Sequence, residues 1–162
     1  MPQSAGLLLY RRTDAGIEVL LAHPGGPFWA ARDEGAWSLP KGETDAGEDP
    51  LDAARREFEE EVGAIPPDGP FIDLGTARLR SGKRVLAWAA EGEVDPSTQR
   101  STEVPVEWPP HSGRRIMVPE VDRVAWFAPA EARRRLNPAQ AVFVDRLVDE
   151  LGLEPDSEER AG

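Results

Sequence analysis

The chain has 162 residues, with 19 basic and 30 acidic side chains, a net charge of −11, 16 prolines and no cysteine. That length suits one domain with a real core rather than two, and no apolar run approaches the ~18 residues that would cross a membrane. The missing cysteines exclude a disulfide framework and a thiolate zinc site, in keeping with a cytoplasmic protein, and the negative charge opposes general nucleic-acid binding, which depends on neutralising phosphates.

Ser4 to Arg12 (SAGLLLYRR) predicts a buried strand and Ile17 to His23 (IEVLLAH) its hairpin neighbour, with Asp14-Ala15-Gly16 as the turn. The basic pair Arg11-Arg12 follows the apolar run instead of preceding it, the reverse of a secretory signal. Pro24-Gly25-Gly26-Pro27 ends the second strand. Phe28, Trp29 and Trp37 then flank a charged segment, Arg32-Asp33-Glu34, and either pack beneath a long loop or wall a substrate cleft. A short strand from Trp37 delivers the chain to Gly42. Lys41, just before it, is either a phosphate contact or an exposed loop lysine.

The stretch from Gly42 to Ala64, GETDAGEDPLDAARREFEEEVGA, reads as a loop, a helix and a turn. Asp49 is a good N-cap, Pro50 suits the first helical position, and Asp52 adds charge where the helix dipole favours it. Gly63 stands where a closing glycine belongs. Leu51, Ala54, Phe58 and Val62 make one apolar stripe. Glu57, Glu60 and Glu61 fall at i, i+3 and i+4, where like charges destabilise a helix by about 0.2–0.5 kcal/mol per pair. A solvated glutamate-rich face is the bland account of such a run. A divalent cation such as Mg²⁺ or Mn²⁺ would remove the conflict, because hard ions favour carboxylate oxygens.

Beyond the helix, Pro66 to Pro70 is a loop, and Phe71–Leu79 and Arg84–Ala90 predict two strands joined through Ser81-Gly82-Lys83. Arg78, Arg80, Lys83 and Arg84 make this the most basic stretch. One or two of them face phosphate, or all of them guard a sheet edge. Gly92 to Pro119 is a long proline-rich loop, functional or mobile, holding Trp108, His111, Arg114 and Arg115. His111 has no partner at catalytic spacing, whereas Arg114-Arg115 suits a phosphate or ribose contact. A strand follows over Arg123–Phe127, with Glu120 in the loop before it. Pro129–Arg135 is a short helix. Asn137 then caps and Pro138 opens a last helix to about Leu151, burying Val144, Leu147, Val148 and Leu151. This order places the chain in the α/β class: one domain over 1–153 whose mixed sheet has helices on both faces, and an acidic flexible tail over 154–162.

The spacing of Gly42, Glu48, Arg56, Glu57, Phe58, Glu60, Glu61, Gly63 and Ala64 resembles the Nudix box, GX5EX7REUXEEXGU with U apolar. Ala64 is smaller than the Ile, Leu or Val common at the final position, and Ile65 follows it. The Trp37-Ser38-Leu39-Pro40-Lys41-Gly42 form and the opening hairpin look like the dinucleoside-tetraphosphate hydrolase branch of that family. The resemblance, over roughly residues 4–151, implies a Nudix α/β/α sandwich. It also implies Mg²⁺-dependent hydrolysis, by water attack at phosphorus, of a nucleoside diphosphate linked to another group.

It assigns Glu57, Glu60 and Glu61 to the metal, with the Gly42 carbonyl and, through water, Glu48. Arg56 would orient Glu57 or Glu60. Glu120, six residues before the strand tryptophan Trp126, matches a general base found in several relatives, the box glutamates being the other candidates. Lys41, Phe28, Trp29, Trp108 and Arg114 are the candidate substrate contacts. A dinucleoside polyphosphate of the Ap4A kind is the expected substrate; ADP-ribose, other nucleotide sugars and NTPs stay open. The expected partner is a small nucleotide, not nucleic acid or membrane. A nucleotide-sensing module that does not hydrolyse is the reading from another class; such a module would be expected to lose box glutamates, and here all are kept.

Overall fold

Residues 7–10, Leu-Leu-Leu-Tyr, are apolar without alternation, and the reason is that both sides of their strand are covered. The computed structural model describes residues 3–153; the acidic tail expected at 154–162 lies outside them. Strand β1 (Gln3–Thr13) is the spine. It runs parallel to β5 (Arg84–Glu91) on one side. On the other it pairs antiparallel with β2 (Gly16–Pro24) at one end and β3 (Lys41–Glu43) at the other. β4 (Ile72–Arg78) and β8 (Val121–Phe127) complete a six-stranded mixed sheet in the order β4-β5-β1-β2-β8, with β3 beside β1.

Leu7 and Leu9 turn to one face, where helix α1 (Pro50–Val62) lays Ala53, Ala54, Phe58 and Val62 against them. Leu8 and Tyr10 turn to the other, under α3 (Ala141–Glu150) with Phe143, Val144, Leu147 and Val148, and α2 (Pro129–Arg135) with Ala132. Each fully buried Leu or Phe contributes about 1.5–3 kcal/mol. The α/β/α layering expected from the element order is the one observed.

The boundaries of α1 follow its capping residues. Asp49 accepts a hydrogen bond from the Asp52 N–H, Pro50 opens the helix, and Gly63 closes it at φ 79°, its N–H donating to the Glu59 carbonyl. The final helix differs from expectation at its start. Asn137 does act as a cap, its side chain accepting from the Ala139 N–H, but Pro138–Gln140 is a 3₁₀ turn and α-helical bonding begins at Ala141.

The larger correction concerns 92–119, expected as a structureless loop. It contains a 3₁₀ turn at Pro96–Thr98 and a separate hairpin, β6 (Glu103–Glu107) with β7 (Arg115–Pro119). The alternation Glu-Val-Pro-Val-Glu is a strand pattern, which Pro105 obscures. Proline is tolerated here because this two-stranded ribbon has only edges.

Candidate active site

The loop before α1 and the turn before β8 meet at the end of the sheet where β3 leaves β1. Helix α1 buries two acids there: Glu57 and Glu61 are 7% and 6% exposed. Each of Glu57, Glu61 and Glu120 offers a carboxylate oxygen within 4.8 Å of the others. Glu120 occupies the one-residue turn between β7 and β8, so two strands fix its position.

A short segment stitches this turn to the helix. Gln99 Nε2 donates to the carbonyls of Glu61 and Val121 at 2.9 and 3.1 Å. The Thr102 N–H donates to the Glu60 carbonyl, and the Thr102 carbonyl accepts from the Glu120 N–H. Nothing in the sequence flags Gln99 or Thr102, because their work is done through backbone groups distant in the chain.

Gly42 leaves the space that the Glu57 carboxylate occupies. A Cβ there would lie 2.1 Å from the Glu57 carboxyl carbon, so only glycine lets that carboxylate rest on β3. Arg56 holds the neighbouring acids in place. Its Nε and Nη2 bind both oxygens of Glu48 at 3.0 Å, Nη1 reaches Glu57 at 2.9 Å and Glu60 at 3.4 Å, and Nη2 also donates to the Glu43 carbonyl. This planar fork suits two carboxylates at once.

The charges of the site follow from that geometry. Arg56, with an added backbone hydrogen bond from Asp45, holds the Glu48 carboxyl down to about 2. Burial pushes Glu61 up to about 10, reinforced by its hydrogen bond with Glu120 and the charges of Glu120 and Glu57, and opposed by Lys41. Burial, then the charge of Glu60, also raises Glu57, against the pull of Arg56. Lys41 is lowered, first by its own burial. Buried carboxylates this close cannot all ionise without a cation among them. Three convergent oxygen donors of that kind fit a hard divalent ion.

The structure thus brings Glu57, Glu61, Glu120, Gly42 and Lys41 together. Lys41, Glu61 and Glu120, with Ala22, Pro24, Ser38 and Val121, line a cavity of about 230 Å³. Glu60 does not join the group of three; its carboxylate turns to Arg56 and is 41% exposed. Glu48 stands behind Arg56 and lines a second, acidic hollow of about 430 Å³ with Gln3 and residues 43–47.

Phe28 and Trp29 stack edge to face at 4.9 Å, with Arg32 over Phe28. Their loop packs on the β7 base, where Gly25 faces the Pro119 carbonyl and Gly26 faces Val118. Trp108 and Arg114 bracket the β6–β7 turn, where the Trp108 N–H donates to the Arg114 carbonyl. None of these four side chains lines the cavity.

His23 was not singled out in sequence, where it ends an ordinary apolar strand. It is fully buried, its Nδ1 2.9 Å from Asp122 Oδ1 and its Nε2 2.6 Å from the Arg32 carbonyl, with its ring edge-on to Trp37. It ties the aromatic loop to the start of β8, two residues past Glu120. No helix among the described residues is long and apolar enough to cross a membrane.

The NUDIX domain profile matches residues 2–147. Two curated proteins named RNA pyrophosphohydrolase are similar over part of the chain. That of Rhodospirillum rubrum is 45% identical over 65 residues, covering 38% of each chain. That of Alkalilimnicola ehrlichii is 44% identical over 74 residues, covering 43% of this chain and 41% of its own. The chain therefore spans about two-fifths of the length of these relatives.

Among solved structures, a Caenorhabditis elegans Ap4A hydrolase binary complex superposes with a TM-score of 0.61 at 19% identity, covering 93% of this chain and 98% of that one. The NUDIX domain of Shewanella oneidensis NrtR, complexed with ADP ribose, reaches 0.59 at 16% identity, covering 92% and 87%. At such identities the likeness is one of fold.

Proposed function

Because this chain belongs to the NUDIX domain family, we propose that it is a Mg²⁺- or Mn²⁺-dependent hydrolase of a pyrophosphate linkage in a nucleoside diphosphate derivative. The reading rests on one observation above all: Glu57, Glu61 and Glu120 converge from two distant segments, and Glu61 and Glu120 line a cavity together with Lys41. A purely structural helix would not bury two acids against a third.

Glu57, Glu61 and Glu120 would hold the cation, which when bound would neutralise phosphate charge and lower the pKa of water. The protein's own groups do the positioning. Arg56 orients the Glu57 carboxylate and, through Glu48, keeps the loop before α1 against the helix. Gly42 leaves room for Glu57 to lie on β3. Lys41 supplies a positive charge at the cavity wall for a phosphate oxygen, which the chain's net charge of −11 would otherwise repel. Glu120, held by its backbone in a tight turn, accepts the proton of the attacking water at its carboxylate. Glu60 takes part through Arg56 rather than by facing the cavity.

A dinucleoside polyphosphate of the Ap4A kind is the first substrate, supported by the Trp37–Gly42 form and the opening hairpin. The 5′-polyphosphate end of RNA is the second, supported by the names of the partial relatives. Both present the same linkage to the same groups. Purified protein with Mg²⁺ or Mn²⁺, assayed against Ap4A, 5′-triphosphorylated RNA, ADP-ribose and NTPs with identification of both products, tests the reading. Metal-dependent cleavage that chelation abolishes is expected. Tight nucleotide binding with no turnover of any substrate would instead make the chain a sensor.

A further inference from the structure

The β4–β5 hairpin carries three arginines that no acid balances among the described residues. Arg78 and Arg84 stand directly opposite each other in the antiparallel register, where like charges destabilise a strand pair. Both are exposed, and among the described residues neither Arg78, Arg80 nor Arg84 enters an ion pair, although acids outnumber bases 30 to 19 in the chain. Edge protection accounts for Arg78 on the outer strand β4 but not for Arg84, since β5 lies between β4 and β1.

The orientation of this pair is set by the sheet. Arg84 pairs with Gln3, and the next same-face partners in that register are Ala5 with Leu86 and Leu7 with Trp88. Ala5 and Leu7 pack under α1. Arg78 and Arg84 therefore share the α1 face, at the sheet end where β3 carries Gly42. Lys83 links the two regions. Its Nζ donates to Glu43 at 3.0 Å, and its charge is close enough to lower the basicity of Lys41 in the cavity wall. From β3 through β1 and β5 to β4 is three strand spacings of about 4.8 Å, or on the order of 14 Å. That exceeds the reach of a single pyrophosphate and matches phosphates further along a chain.

We infer that Arg78 and Arg84, with Arg80 at the turn, form a docking shelf for the phosphodiester backbone of an RNA strand whose 5′ end lies at the Glu57–Glu61–Glu120 site. Its placement rests on the proposed pyrophosphate hydrolysis, but the shelf itself is a binding surface. The guanidinium groups read phosphates without regard to sequence. The overall charge of −11 opposes general nucleic-acid binding, so contact with a phosphate backbone needs a local basic strip such as this one.

The test compares wild type with the double variant Arg78→Ala/Arg84→Ala, in two assays. In hydrolysis, KM for a 5′-triphosphorylated 12-nucleotide RNA is expected to rise about tenfold or more, with kcat within twofold, while turnover of Ap4A and ATP is unchanged. In binding, a fluorescent 5′-monophosphorylated 12-mer is expected to lose affinity. The slope of log K against log salt should fall by about 1.4, the share of two phosphate contacts on a single strand. The melting temperature should hold or rise, since a repulsion is removed.

Equal losses on RNA, Ap4A and ATP, or no change in RNA binding, would overturn the shelf. So would a wild type that cleaves Ap4A yet neither binds nor cleaves the RNA, which leaves the proposed hydrolase standing. A wild type that binds the 12-mer through these arginines but cleaves nothing upholds the shelf and defeats the hydrolase reading.

Discussion

Helices α1 and α3 cover opposite faces of one sheet, and they do it differently. α3 buries Phe143, Val144, Leu147 and Val148 and nothing charged. α1 buries Ala53, Ala54, Phe58 and Val62, and with them Glu57 and Glu61. The paired alanines let α1 lie close to β1, which presses its carboxylates down on the strand end where Gly42 makes room. One helix spends its buried face on cohesion alone, the other also holds two acids that are costly to bury.

Substitutions should separate the two roles. Phe143→Ala removes a fully buried ring and should cost about 3–5 kcal/mol of stability, read by chemical denaturation, with the turnover of the remaining folded protein little changed. Comparable loss of activity per folded molecule would mean that α3 shapes the site. Glu57→Gln should do the reverse. Turnover is expected to fall by about 10²–10³, the scale of one preorganised electrostatic contact, with an unchanged or higher melting temperature because a buried charge is gone. Full activity in folded Glu57→Gln protein would remove it from the site. Gly42→Ala should resemble it, because the added Cβ displaces the Glu57 carboxylate and misplacement of about 1 Å costs on the order of 10²-fold; wild-type kcat would show that β3 yields instead.

A smaller effect distinguishes the faces by pH. On the α1 side, the folded-state pKa of Glu61 is raised from its usual value to about 10. The protonated form is thus the favoured folded one, and in chelator stability should fall as pH rises from about 5 towards 9. On the α3 side Asp33 is lowered, first by the Trp37 Nε1–H bond and then by Arg135. Its contribution is present above its unfolded pKa and is lost as pH falls below it. Melting temperatures across pH 3–9 in chelator should show both slopes, with Mg²⁺ reducing the alkaline one alone and Asp33→Asn reducing the acid one alone. An alkaline slope indifferent to Mg²⁺ would argue against a cation at Glu61.

Much of the layout was legible in the residues. The Asp49-Pro50 start and Gly63 end of α1, the two hairpins and the long apolar strands all report local rules of capping, turns and burial, so they survive without knowledge of the fold. The β6–β7 ribbon was not legible because Pro105 and the prolines around its turn outweigh a short alternation. Glu120 was placed by resemblance and not by its own chemistry; an acid in a loop has no local signature. Buried His23 gave no signal at all.

The chain by itself settles which acids lie on one side of α1, since helical periodicity is local. Only tertiary structure decides that Glu60 turns to Arg56 while Glu120, far along the chain, closes on Glu57 and Glu61. That choice depends on where β3 and the β7–β8 turn meet α1 and on the hydrogen bonds through residues 99–102. Carboxylates distant in sequence become neighbours because strands pair across long separations, and no spacing rule within one helix encodes that.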